Sequence, residues 1–288
     1  VAIDGTKVRA SASRESLTWA ARLKRIDGLV EEHVRSLKAE LESDPAATEH
    51  RCRARAVSAA EERARRAAAA AAKLTVLEAE RDERRKTHPQ EEARKAETKV
   101  SLTDPDARPM RFPDGATRLA YNVQVATADR FIVAIEPTDR RNDSGLAPGM
   151  VEQVVARCGF SPKRLLADTT AMTQPDILTL EGRYPGMTVF SPPPPDRADA
   201  KPETLRKRAS KRAQEPEPLR QWRERMESPE GQEIYARRKV TEHAHAHMKN
   251  RGLDRLYVRG IDKVRCVCLL HALAHNLMNA LRLRAAHA

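Results

Sequence analysis

From Ser13 to about Thr87 the apolar residues of this chain recur only with helical spacing. Leu23, Ile26, Val30, Leu37 and Leu41 stand three, four or seven apart, one stripe along a helix. Asp44-Pro45 ends that pattern, because the residue before a proline is pushed out of the helical region. A second helix is predicted from about Thr48, through the run Ala67 to Ala72 and Leu74, Val76 and Leu77, to Thr87-His88-Pro89. Two long helices joined by a short proline-containing turn predict an antiparallel hairpin. The second stripe is thin, and a solvated Ala/Arg/Glu helix reads equally well from the residues. In either case this stretch cannot supply the main core, which must come from what flanks it.

The flanks have a different period. Residues 1–10, VAIDGTKVRA, read as a strand whose apolar run is interrupted by Asp4. After Ser101, Tyr121 to Ala126 alternate with period two and Phe131 to Ile135 form a second apolar strand. The short link Ala128-Asp129-Arg130 predicts an antiparallel hairpin between them. Residues 146–157 read as a helix with Val151, Val154 and Val155 inward, and Arg164 to Ala167 as a short buried strand ending at Asp168. A helix around 176–181, a strand at 187–190 and the run Pro192 to Pro195 follow. Residues 196–218 are polar, Lys/Arg-rich and bounded by prolines, which predicts a mobile basic loop; within it, 201–213 is either a nonspecific phosphate contact or disordered. Helix returns at about 219–227, then from Pro229 to Asn250 with Ser228 as N-cap. A last helix, about 262–283, carries an apolar face through Val264, Val267, Leu270, Leu273 and Leu277.

Without the helical excursion the order is three antiparallel strands, a crossover helix and a parallel strand. The expected fold class is α/β: an RNase H-like mixed sheet with flanking helices, plus a long helical hairpin between the first and second strands. The expected division is 1–12 for the first strand, 13–99 for the inserted hairpin and 100–288 for the rest of the catalytic domain.

Composition agrees with an exposed excursion, since 33% charged residues are too many for one compact globule of 288 residues. With 3% aromatics the core must rest on Leu, Val, Ile and Ala. A formal net charge of +12 points to a polyanionic partner, nucleic acid by default. No apolar run is read as approaching the roughly 18–20 residues of a membrane span, and no secretory signal opens the chain. Of the four cysteines, Cys52, Cys158, Cys266 and Cys268, the last pair lies in an apolar helix and is expected to pack as small hydrophobes; a zinc site would need two such pairs. A reduced, cytoplasmic setting is the simple reading. Val1-Ala2-Ile3 begins as strand with no initiator Met, so the first strand is expected to start upstream, in a longer product.

Three acids stand out by position. Asp4 lies within the first strand and Asp168 at the end of the fourth, neighbours in the expected topology. A charge in an apolar strand is costly unless compensated, and a bound cation is one compensation. Tyr235, Arg238, Glu242, His245 and Lys249 stand three, four, three and four apart, within a helical sector of roughly 80°. Such a stripe is either a solvated face with i,i+4 pairing or a catalytic face. His243, His245 and His247 alternate around the helix and cannot all converge on one metal, whereas His271 and His275 suit a core or partner-facing position.

The spacing Tyr235, two residues, Arg238, three residues, Glu242, six residues, Lys249 resembles the Tyr-Arg-Glu-Lys signature of DDE transposases of the insertion-sequence-four type in bacteria. DGTKVRA resembles that family's first-Asp motif, LLADTT its second-Asp strand, and SPEGQEIYARRKVTEH its approach to the catalytic Glu. LLHALAHNLMNALRL resembles its closing helix, and TDPDAR and YNVQVATA the segment leading into its second strand. The resemblance covers residues 1–10 and about 100–285. It departs after the second Asp, where Thr169-Thr170 stand in place of the frequent Gly-Tyr, and the family's usual N-terminal DNA-recognition region is not matched.

The resemblance implies Asp4, Asp168 and Glu242 as catalytic, metal-holding residues for two Mg²⁺ or Mn²⁺ ions, roughly 3.5–4 Å apart. It implies Tyr235, Arg238 and Lys249 as contacts to DNA phosphates. The expected partner is double-stranded DNA, both transposon ends and target, acted on by a homodimer near the bacterial nucleoid, with no membrane involved. Two rival readings remain open: a metal-dependent nuclease on the same fold, and an inactive truncated remnant that only binds DNA.

Overall fold

A computed structural model describes residues 1–43, 50–90, 97–195 and 202–287. Its strands are β1 (Ala2–Arg9), β2 (Leu17–Thr18), β3 (Val100–Ser101), β4 (Arg108–Arg111), β5 (Thr117–Ala128), β6 (Phe131–Thr138), β7 (Arg164–Ala167) and β8 (Thr188–Phe190). Its helices are α1 (Ala20–Ser43), α2 (His50–Thr87), α3 (Ala147–Cys158), α4 (Gln174–Arg183), α5 (Pro202–Ala213), α6 (Glu217–Glu227), α7 (Pro229–Ala236), α8 (Val240–Asn250) and α9 (Ile261–Ala286). A 3₁₀ turn, Arg237–Lys239, joins α7 to α8. The protein is a mixed α/β structure in which six strands form one mixed sheet, ordered β4-β5-β1-β7-β8 with β6 also paired to β5. Two compact units result: residues 1–8, 122–255 and 262–288, and residues 9–121 and 256–261.

In the first unit, β5 and β6 are antiparallel and close through Ala128↔Phe131. This leaves a two-residue turn in which Asp129 takes φ 51°, a left-handed conformation that Asp tolerates better than most residues. A bulge follows at Ala126/Thr127. β1 lies next to β5, with the Thr127 hydroxyl near the Ala2 carbonyl. β7 is parallel to β1, and β8 is parallel to β7. α3 and α4 supply the crossovers that parallel pairing demands. The core beneath this sheet is largely aliphatic, with Ile3, Val151, Leu165, Ile177, Leu180 and Val189 all buried, but it also buries Phe190, Trp222 and four methionines.

In the second unit, α1 and α2 lie antiparallel, with Lys38 paired to Glu61 at 2.7 Å and Leu23 packed with Ala70 and Leu74. The expected stop at Asp44-Pro45 and start at Thr48 lie outside the described residues. β2 and β3 pair through Leu17↔Ser101 and Thr18↔Val100, pinning the entry and exit of the helix pair together. Two residues per strand are too few to show a period, which is why the sequence reading carried a helix through Leu17 and Thr18. Instead Arg14–Ser16 form a 3₁₀ turn capped by Ser13, and the helix begins at Ala20. A buried carboxylate ties this unit internally: Asp104 accepts from the Tyr121 hydroxyl at 2.7 Å and from Gly260 N–H at 3.1 Å.

Four other expectations are corrected. The basic segment expected as a mobile loop contains α5, because its Leu, Arg, Lys and Ala residues are good helix formers and Pro202 can occupy a first helical position. The apolar face expected on the last helix is largely outward: Leu270, Leu273 and Leu277 are 64, 65 and 59% exposed. α9 instead buries Val264, Cys268, Ala272, His275 and Asn279. Cys268 packs as expected, whereas Cys266 is exposed. Finally, α9 is long and apolar enough to cross a membrane, with a window of mean hydropathy 1.2. Its polar side chains nevertheless bind the β5–β6 hairpin, Asn276 donating to Ile132 and Asn279 to Arg130 carbonyls at 2.8 and 2.7 Å.

Replacing Tyr121 by Phe keeps the shape of the ring but removes one of the donors to buried Asp104. We expect Tyr121→Phe to lower stability by about 1–3 kcal/mol, read as a lower urea midpoint with an unchanged m-value.

Candidate active site

The site begins with strand register. Ile3 pairs with Ala167 across the parallel β1–β7 ladder, so the next residues, Asp4 within β1 and Asp168 just past the end of β7, stand side by side. Asp168 sits where β7 ends: its carbonyl receives Ala171 N–H at 3.1 Å and the Ser191 hydroxyl at 3.2 Å, and its carboxylate receives the Thr170 hydroxyl at 3.1 Å. Thr169-Thr170 thus form the turn that holds Asp168.

Asp4 is partly buried, with its side chain 20% exposed. Its Oδ1 accepts from Gly5 N–H at 3.0 Å and its Oδ2 lies 3.2 Å from Arg238 Nη1. Burial pushes the Asp4 carboxyl above the usual carboxylate range; Arg238 and the Gly5 N–H oppose this, while Asp143 and Asp168 add to it. Two carboxylates side by side, one of them desolvated, constitute an uncompensated negative pole.

Arg238 partly answers it. Its second nitrogen lies 3.5 Å from Glu242 Oε1, and its guanidinium lies 5.9 Å from the Tyr235 ring centroid. One guanidinium therefore bridges Asp4 and Glu242. Local folding puts it there. Ser228 Oγ accepts from Gly231 N–H at 3.0 Å and donates to the Arg225 carbonyl at 2.7 Å, starting α7 immediately after α6. A side chain at position 231 would place Cβ 1.8 Å from that carbonyl, so glycine is required by the close approach. Beyond the 3₁₀ turn, buried Thr241 shares a 2.9 Å hydrogen bond with Thr127 of β5, anchoring α8 one residue before Glu242.

The residues of the expected stripe run from α7 through the 3₁₀ turn into α8. Tyr235 and Arg238 are half-buried, Glu242 and Lys249 exposed. His245 is buried with Nδ1 3.8 Å from Asp4 Oδ2; burial, with Lys249 and Arg238, pushes it down to about 4, so it packs there as a neutral ring. Burial likewise raises the Tyr235 hydroxyl, and the charge of Asp168 contributes. Lys249 is drawn down by burial and pulled back by Asp254 and Asp4. His243 is exposed and His247 faces the His275 ring at 5.5 Å, so the three alternating histidines do not converge, as their spacing implied.

Among the described residues, no three Asp, Glu, His or Cys side chains are gathered as ligands around one point. Asp4 and Asp168 are juxtaposed by register, and Glu242 is linked to Asp4 only through Arg238. The donor set is nonetheless hard oxygen, which suits Mg²⁺ or Mn²⁺, and the burdened Asp4 carboxylate favours a cation beside it.

One carboxylate escaped sequence reasoning. Asp143 stands in Asn142-Asp143-Ser144-Gly145, which reads as an ordinary turn. Its Oδ1 accepts from Asn122 Nδ2 at 2.7 Å and Gln124 Nε2 at 2.5 Å, both on β5 and both buried. The detectable signal was those two amides, alternate residues flanked by Tyr121, Val123 and Val125 in the strand.

Against this geometry stands one family match: residues 197–281 match the model of a transposase DDE domain. Searches of curated proteins and of solved structures found no match. The matched stretch carries Tyr235, Arg238, Glu242, Lys249 and most of α9; Asp4 and Asp168 lie outside it. A domain of this kind indicates transposase function, a phosphoryl-transfer enzyme family, DNA binding and the general use of divalent metal.

The burial of Asp4 has a consequence for stability. Because its folded-state pKa is raised, stability is greater while Asp4 is protonated and falls as pH rises through the carboxylate range. Asp4→Asn should therefore raise the melting temperature of metal-free protein at pH 7 by a few degrees, about 2–4 °C, and the gain should shrink toward pH 4. A neutral-pH melting temperature equal to or below wild type would contradict this.

Proposed function

We propose that this chain is the catalytic part of a DDE transposase of the insertion-sequence-four type, built on an RNase H-like fold. The reading is carried by the parallel register that sets Asp4 beside Asp168, joined through Arg238 to Glu242 within the stretch that matches the transposase domain. The sheet order β6-β5-β1-β7-β8, with β5 antiparallel and β7 and β8 parallel, supports the fold assignment.

In this reading Asp4, Asp168 and Glu242 would hold two divalent ions, whose positive charge would supply Lewis-acid stabilisation at the phosphodiester. The remaining residues orient DNA. Arg238, already between two carboxylates, offers further guanidinium N–H donors to a non-bridging phosphate oxygen. Tyr235, whose hydroxyl stays protonated at neutral pH, is a donor to the same backbone. Lys249 adds a point charge one turn beyond His245, which stays neutral and fills the space beside Asp4 without competing for phosphate. Water attacks a phosphodiester at the element's end, leaving a 3′-hydroxyl and a 5′-phosphate. That hydroxyl then attacks a target phosphodiester, expelling the target's own 3′-oxygen, which leaves protonated. The same reading has a homodimer acting on double-stranded DNA in the bacterial cytoplasm, at the nucleoid.

Incubated with supercoiled plasmid and Mg²⁺ or Mn²⁺, the wild-type chain should produce nicked circles. Glu242→Ala and Asp168→Asn should each lower the rate by at least about 10²-fold while melting within a few degrees of wild type. Strand-transfer products from an end-sequence oligonucleotide would distinguish a transposase from a nuclease on the same fold. Nicking equal in wild type and Glu242→Ala would sink the proposal.

A further inference from the structure

The acid that sequence reasoning passed over lies against the residue that follows Asp4. A Cβ built on Gly5 would fall 2.2 Å from Asp143 Oδ1 and 2.4 Å from Gln124 Nε2. The carboxylate thus occupies the volume that any side chain at position 5 would need. It is held there by two donors on one oxygen, Asn122 at 2.7 Å and Gln124 at 2.5 Å, and Gln124 also donates to Asn122 Oδ1 at 3.1 Å. Asn122 and Gln124 are each only 2% exposed, so neither amide can move without leaving buried polar groups unmet. The backbone of the same residue is fixed as well, the Asp143 carbonyl accepting Leu146 N–H at 3.1 Å ahead of α3.

We infer that Asp143 is a positioning residue for Asp4: clamped by Asn122 and Gln124 against Gly5, it fixes the backbone from which Asp4 projects and sets a second negative charge behind it. The inference rests on the reading of Asp4 as a metal-holding acid, and deepens it. Gly5 N–H donates to Asp4 Oδ1 at 3.0 Å, so the peptide that Asp143 packs against also orients the Asp4 carboxylate. Any shift of Gly5 is transmitted to Asp4 through that bond. The added charge acts in the same sense, since a carboxylate backed by another attracts a divalent cation more strongly. Asp143 itself remains behind the strand, held by amides.

Two substitutions separate position from charge. Asp143→Ala removes both, whereas Asp143→Asn keeps an oxygen for Asn122 and Gln124 and removes only the charge. In metal-free full-length chain, hydrogen–deuterium exchange of the segment Ala2–Val8 should be about tenfold faster in Asp143→Ala and near wild type in Asp143→Asn. Gly5→Ala, which drives the carboxylate out by its Cβ, should exchange like Asp143→Ala. In plasmid nicking, Asp143→Asn should need about tenfold more Mn²⁺ for half-maximal rate, and should recover more of the wild-type rate at saturating Mn²⁺ than Asp143→Ala does. Wild-type exchange in Asp143→Ala, or wild-type Mn²⁺ dependence in Asp143→Asn, would overturn the inference in its positional or its electrostatic part. The exchange measurement needs no metal, so it still decides the positional role of Asp143 if the wild type shows no metal-dependent nicking and the cleavage reading itself fails.

Discussion

A single run of parallel backbone pairing decides which two carboxylates this sheet brings together. Ile3 and Ala167 face each other across β1 and β7, and the residues that follow them are both aspartates. A shift of one residue would turn one carboxylate to the opposite face of the sheet and separate the pair. What holds the register is apolar: Ala2, Ile3, Leu165, Leu166 and Ala167 are all buried in one core with α3 and α4. The core therefore does more than stabilise the fold, because its packing is the reason two like charges stand together against their mutual repulsion.

Such a juxtaposition has to be compensated, and the chain places its compensation on a separate element. Arg238 reaches Asp4 from the turn between α7 and α8, and that turn is aimed by contacts with no chemistry of their own. Ser228 and Gly231 set where α7 starts, and Thr241 bonds to Thr127 where α8 lands on the sheet. Because Asp4 and Arg238 are each about one-fifth exposed in their side chains, solvent screens the pair only in part. The interaction is strong enough to bias geometry while the guanidinium keeps donors for a further anion.

The sequence made the helix–sheet division legible because its signals there are periodic. The alternation in Tyr121–Ala126, the four-residue strand ending at Asp168 and the 3-4-3-4 spacing of the Tyr235–Lys249 stripe are each properties of one segment. What it left unread is of two physical kinds. β2 and β3 are two residues each and exist only because they pair with each other, so neither segment alone contains the information. The outward leucines of α9 show the second kind. A hydrophobic stripe is normally the buried one, but here hydrogen-bonding geometry decides: Asn276 and Asn279 reach carbonyls of the β5–β6 hairpin, and turning that polar face inward turns Leu270, Leu273 and Leu277 out. Asp143 was hidden for a related reason, since a turn aspartate acquires its meaning only from the two amides that strand pairing brings to it.

Three of the buried polar side chains in this unit lie on one strand, and their placement has a structural logic. Thr127, Gln124 and Asn122 lie along one strand, β5, and bond to two different elements: Thr127 to α8, Gln124 and Asn122 both to the loop before α3. In an apolar interior these bonds are directional where aliphatic packing is not, so they define position more narrowly than the surrounding core does. β5 thus acts as the reference strand of the site. It places Glu242 through Thr241 and bears on Asp4 through Asp143 and Gly5, while β1 and β7 bring Asp4 and Asp168 together. Three acids from a strand, a strand end and a helix are in this way referred to a common sheet.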